Sequence, residues 1–219
     1  MIIKGRRFLS TSLSGSKVII HGDSITADAG ASDHNHAYYM IYQTATGYPV
    51  TTMAQYSRTV QEAVQSWNAT NSLYNVVFDP TPDQELYNPL IPYDPTYRYL
   101  MFRLGINDCL QKPSSSTNVT TFKDTYKECL QAFLDLGWPK NKIKLINISS
   151  YLGADAEVIQ ACIDYRSAIE EIGEEMEFQV LNLQPLDAAN NPPDLYADLV
   201  HPNDAGHLLH GNYLISQLP

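Results

Sequence analysis

The sequence has 219 residues, 44% of them hydrophobic, and its 14 Lys and Arg against 24 Asp and Glu leave a net charge of −10. A chain of this length buries about 70% of its unfolded surface in one domain, which argues against wholesale disorder. The acidic balance, with no basic cluster beyond Lys4-Gly5-Arg6-Arg7, argues against a nucleic-acid partner, and no apolar run approaches the ~20 residues of a membrane span. Residues 1–16 form an N-terminal extension, and 17–219 a single domain. In the extension Phe8-Leu9 gives way at once to Ser10-Thr11-Ser12, so the apolar middle of a secretory signal is missing. The compartment is left open between the cytoplasm and a domain of a larger surface or virion protein.

The first strand-like run is Lys17 to His21, followed by Gly22-Asp23-Ser24-Ile25-Thr26. Asp33-His34-Asn35-His36, with His21, has metal-binding residue types without a ligand spacing, so no metal is expected. A second strand run spans Pro49 to Ala54, and a weak helical period runs from Arg58 to Ser72. The stretch Asp79 to Thr96, with prolines at 80, 82, 89, 92 and 95, has neither period; so long a connection suggests an active-site rim. A strand from Arg98 to Arg103 leads into Gly105-Ile106-Asn107-Asp108.

Phe122, Tyr126, Cys129, Leu130, Phe133 and Leu134 then recur at helical spacing, ending near Gly137. After a strand from Lys142 to Ile148, Ile159, Cys162, Ile163, Arg166, Ile169 and Ile172 make a second amphipathic helix. Its glutamates at 170, 171, 174 and 175 are read as a solvated face. The run Phe178 to Asn182 is the fifth strand. Asp198-Leu199-Val200-His201-Pro202 precedes a candidate helix from Asp204 to Gln217. Alternating strands and helices predict an α/β fold, a three-layer α/β/α flavodoxin-like sandwich on a five-stranded, mostly parallel sheet. The functional site of such a sheet lies beyond the carboxyl ends of its strands. Cys109, Cys129 and Cys162, odd in number and widely spaced, are read as buried thiols rather than a disulfide framework.

Three strings fall at those carboxyl ends or in the last loop. Singly, each has a bland reading: Ser24 as a helix cap, Asn107 and Asp108 as turn formers, Asp198 and His201 as capping residues. Together they supply what nucleophilic catalysis needs, since a weak alcohol requires a base within reach and that base an orienting carboxylate. The spacing of three between Asp198 and His201 lets one turn carry both.

The strings G-D-S, G-x-N-D and D-x-x-H-P, in this order, resemble the signature blocks of the SGNH (GDSL) hydrolase superfamily from Val18 to the C-terminal helix. The resemblance implies a serine esterase without metal or organic cofactor. It implies Ser24 as nucleophile and, through its N–H, as an oxyanion donor. Asn107 matches a second donor, His201 the general base and Asp198 its orienting partner. The family's second block supplies a further donor on a glycine, but Ala54-Gln55-Tyr56-Ser57-Arg58-Thr59 has none. Ser57 is aligned there, which would strain a turn of positive φ.

Tyr38, Tyr39, Tyr56, Tyr87 and Tyr93 are expected near the mouth, with Tyr56, Tyr87 and Tyr93 as substrate-binding residues. Their flat rings suit sugar faces, so an acetylated carbohydrate is the expected substrate. The alternatives are a lipase or lysophospholipase, and a carbohydrate-binding or adhesion module that kept the fold but lost turnover. The sequence leaves the oligomeric state open.

Overall fold

In the computed structural model of the chain, residues 17–63, 91–112, 114–149, 151–183 and 193–218 are described. Five strands, β1 (Lys17–Gly22), β2 (Val50–Ala54), β3 (Tyr97–Arg103), β4 (Ile143–Ile146) and β5 (Gln179–Leu181), run parallel in the order β2-β1-β3-β4-β5. The three central strands are the most apolar and the most buried, as a sheet covered on both faces requires. The chain reverses its direction of winding between β1 and β3, and the crevice of a doubly wound sheet opens at that switch point.

Five helices complete the described layers: α1 (Tyr38–Thr46), α2 (Ile106–Gln111), α3 (Ser116–Asp135), α4 (Ala156–Met176) and α5 (Asp204–Gln217). The two long helices follow the predicted periods, and each is started by a side-chain cap. Ser115 accepts the Asn118 N–H, and Asp155 those of Glu157 and Val158. On α5, Asn203 caps through the N–H groups of Ala205 and Gly206. Residues 60–63 begin a helix within the segment predicted from Arg58. No periodicity in the sequence marks α1, whose end is set by Gly47 at φ 73°.

Neighbouring residues of β3 show how the two helical layers form. Side chains alternate across a strand: Phe102 packs against Tyr126 and Phe133 of α3, whereas Arg103 reaches Tyr38 of α1 and His210 of α5. Two of the glutamates read as a solvated face, Glu171 and Glu175, instead pair with Lys123 and Lys127 across the α3–α4 seam. Such half-exposed pairs add little stability but orient the two helices.

The tyrosines divide sharply. Tyr38 and Tyr39 are buried core residues rather than rim residues. Tyr93 is also displaced from its expected place. Its N–H donates to the Leu136 carbonyl, its ring abuts Trp138, and the segment enters β3 at the amino end. Seven residues of strand, roughly 20 Å, then separate it from the carboxyl edge. Tyr87 and most of the proposed rim lie outside the described residues, as does the N-terminal extension.

Candidate active site

Beyond the carboxyl end of β1 the chain makes a tight turn. Asp23 is buried, and its carboxylate accepts the Ile25 N–H at 3.0 Å. Burial pushes this carboxyl up to about 6, against the opposing pull of the Arg103 guanidinium. The turn presents Ser24, whose Oγ lies 2.9 Å from Nε2 of His201.

His201 stands on the loop before α5, pinned by a backbone bridge between Tyr196 and Pro202 and by the Ala197 N–H donating to its carbonyl. Asp198 grips that loop with both oxygens. Oδ1 accepts the N–H groups of Val200 and His201, each at 2.7 Å, and Oδ2 faces His201 Nδ1 at 2.7 Å. Partial burial opposes the charge on Asp198, yet these hydrogen bonds prevail and hold it below the usual carboxylate range. The carboxylate therefore fixes Nδ1 as the protonated ring nitrogen and turns Nε2 toward Ser24 as an acceptor. A serine, imidazole and carboxylate so linked can pass a proton from the hydroxyl to the ring while the ring's charge is stabilised.

The loop after Ser24 meets the His201 loop so closely that Gly30, at φ 91°, has no room for a side chain. A Cβ there would lie 2.1 Å from the Pro202 carbonyl oxygen and 3.0 Å from His201 Cβ. His207 and His210 of α5 are buried and serve this frame. His207 accepts the Tyr38 N–H on Nδ1 and donates from Nε2 to the Ala29 carbonyl, while burial lowers its pKa to about 4. His210 accepts from Arg103, whose guanidinium also lies over the Tyr38 ring. Arg103 thus joins α1, α5 and the electrostatics of Asp23. Sequence reasoning missed it, since an arginine ending a strand carries no local signal.

Two further segments close the site from the β2 and β3 side. Asn107, nearly buried on α2, donates from Nδ2 to the Arg58 carbonyl at 3.1 Å. That bond draws its amide against the turn aligned with the missing glycine. In that turn Ser57 is exposed and adopts φ 59°, the left-handed conformation that glycine takes without strain. Asp108, beside Asn107, accepts the Val60 N–H and so ties α2 to the helix that follows the turn. Burial pushes its carboxyl up to about 7. Tyr56 remains 60% exposed at the edge of this turn, its hydroxyl donating to the Ala27 carbonyl at 3.2 Å. The structure therefore brings Ser24, Asp198, His201, Asn107, Ser57 and Tyr56 to one edge of the sheet and leaves Tyr93 at the other.

Among the described residues no group of three or more His, Cys, Asp or Glu is placed to hold a metal ion. His21 is buried between Phe102 and Phe133, whereas His34 and His36 lie at the surface beside Asp28 and Asp33. No helix among those residues is long and apolar enough to cross a membrane.

Residues 20–209 match the model of the GDSL-like lipase/acylhydrolase family, while no curated protein matches the chain. Similar solved structures include a lipolytic protein of the G-D-S-L family from Veillonella parvula, at 16% identity and a TM-score of 0.69 over 93% of this chain and 98% of that one. An acetyl xylan esterase has 17% identity and the same TM-score over 93% and 100%. A lipase/acylhydrolase from Enterococcus faecalis has 17% identity and a TM-score of 0.63 over 92% and 95%. With the family model spanning both the turn after β1 and the loop before α5, the chain belongs to the GDSL-like lipase/acylhydrolase family and is an SGNH-type serine hydrolase of ester bonds.

Proposed function

We propose that the protein removes short acyl groups, acetyl above all, from a carbohydrate through an acyl-enzyme on Ser24. The observation that carries the mechanism is the chain Ser24 Oγ, His201 Nε2 and Asp198 Oδ2, with links of 2.9 and 2.7 Å. In this reading His201 accepts the Ser24 proton as Oγ attacks the ester carbonyl carbon. The resulting oxyanion is met by the Asn107 amide and the N–H groups of Ser24 and Ser57. The carbon–oxygen bond to the sugar then breaks, and His201 returns the proton to the departing alcohol. Water, deprotonated by His201, attacks the acyl-enzyme and releases the acid.

The carbohydrate assignment rests on Tyr56. Its ring is exposed beside the Ser57 turn, and its hydroxyl is anchored on Ala27, three residues past the nucleophile. A fixed, flat, solvent-facing ring with a polar tip suits the face of a sugar. Tyr87 is retained as a second candidate contact. An acetyl xylan esterase among the similar folds is in keeping with this reading.

Labelling with a fluorophosphonate, followed by hydrolysis of p-nitrophenyl acetate, acetylated oligosaccharides and p-nitrophenyl esters of growing chain length, tests the proposal. Wild type is expected to label at Ser24 and to favour acetyl groups on sugars, and Ser24→Ala to lose both labelling and turnover. Preference for long acyl chains would overturn the carbohydrate assignment in favour of a lipase. A wild type that neither labels nor turns over would leave a binding module on the same fold.

A further inference from the structure

We propose that Cys109 and Cys162 form a redox-modification site, whose thiols are closed by a peroxide into a disulfide that ties α2 to α4. The two sulfur atoms lie 2.9 Å apart across 53 positions of sequence. This is closer than ordinary van der Waals contact between sulfurs, and about 0.9 Å beyond the ~2.05 Å of a disulfide bond. Both cysteines are free and buried, at 1% and 3% exposure, on helices that pack together. A small displacement of two side chains would bring them to bonding distance.

The surroundings divide the roles of the pair. The Cys109 thiol beside Cys162, together with the Arg166 guanidinium one turn along α4, favours the Cys162 thiolate and lowers its pKa. Cys109, held against the Ile106 carbonyl, is kept protonated by its partner and by burial. Cys162 thiolate would therefore attack the peroxide oxygen, breaking the O–O bond and giving a sulfenic acid and hydroxide. Cys109 then attacks that sulfur and the oxygen leaves as water. For hydrogen peroxide the sum is two thiols and one peroxide giving one disulfide and two waters, with two electrons passing from sulfur to oxygen. The bond would clamp the six-residue helix that carries Asn107.

Cys129, buried on α3, serves as the internal control. The full chain, stripped of reductant, is exposed to hydrogen peroxide, denatured and titrated for thiols, and its peptides are mapped without reduction. Three thiols are expected to fall to one, with the Cys109 and Cys162 peptides joined and the link reversed by dithiothreitol. Closing so long a loop should raise Tm by about 5 °C or more. Equal loss of Cys129, overoxidation of Cys162 without a crosslink, or survival of all three thiols would overturn the proposal; a crosslink without a rise in Tm would overturn the clamp. Cys162→Ser should retain both remaining thiols under the same exposure, and their rapid loss would also count against the site. Cys109→Ala gives the same comparison should the serine variant not fold.

Discussion

Replacing Ser57 by glycine separates the backbone from the side chain at the proposed oxyanion turn. Ser57 holds φ 59°, and its side chain is exposed, so the substitution removes no core packing. A left-handed L-residue costs about 1–2 kcal/mol, which glycine recovers. Glycine also loosens the unfolded chain, giving back roughly 0.5–1 kcal/mol of that gain. The net expectation is a stabilisation of about 0–1.5 kcal/mol, or up to ~5 °C in Tm for a chain of this size. The Ser57 N–H stays where it is, and its carbonyl still accepts from Gln111. The rate constant for p-nitrophenyl acetate should therefore remain within about threefold of wild type, because the donor is unchanged. Urea melts and steady-state kinetics on Ser57→Gly and Ser57→Val decide the matter, the β-branched valine being expected to lose both stability and rate. A glycine variant that is destabilised by more than about 1 kcal/mol, or slowed 100-fold, would refute the reasoning and assign the work to the hydroxyl.

Three further outcomes follow from the same geometry. Asn107→Ala should lower kcat by about 10²–10³ with little change in KM, and should also destabilise the fold by ~1–2 kcal/mol because the Arg58 carbonyl loses its donor. A change of less than threefold in kcat would remove Asn107 from the oxyanion site. Gly30→Ala places a Cβ 2.1 Å from the Pro202 carbonyl and must push the His201 loop aside. A displacement of about 1 Å there should cost roughly 10²-fold in kcat, read against unchanged far-ultraviolet circular dichroism. Asp108→Asn tests the buried carboxyl raised to about 7. Between about pH 4 and 7 the folded chain holds a proton that the unfolded chain has released, so this group's contribution falls as pH rises. The stability of the Asn variant relative to wild type should thus climb with pH, by up to about 3–4 kcal/mol at neutrality. A difference constant from pH 4 to 8 would refute the assignment, and opposing trends from His21 and His207 cancel in the comparison.

The sandwich was legible because each of its long elements is built on one repeated physical demand. An apolar stripe every three or four residues made α3 and α4 visible, and short β-branched runs marked β1 and β4. The helix α1 was not visible for the opposite reason. Tyr38-Tyr39-Met40-Ile41-Tyr42 has the composition of a strand, and its helical form depends on packing against α5, at the far end of the sequence. Tyr93 misled in the same way: the rim assignment weighed its ring and its prolines, whereas its place is set by Trp138 and the Leu136 carbonyl.

Within the candidate site the same division predicts which positions tolerate change. Ser24, Asn107, Asp198 and His201 were legible because each sits in a short string whose local turn geometry does the placing. Gly30 and Arg103 were not, because their demands come from Pro202, His201 and His210, more than 90 positions away. Ser57 and Gly30 both lie at positive φ, yet they differ in what surrounds them. At Ser57 the side chain points into open solvent, so a non-glycine residue meets only a torsional cost of about 1–2 kcal/mol. At Gly30 the same torsional cost is joined by a backbone carbonyl that cannot yield without moving the proposed base. A chain can therefore lose the glycine that its family places in the second block and keep the turn, while an apparently ordinary glycine after the proposed nucleophile is the one against which the His201 loop packs too closely for a side chain.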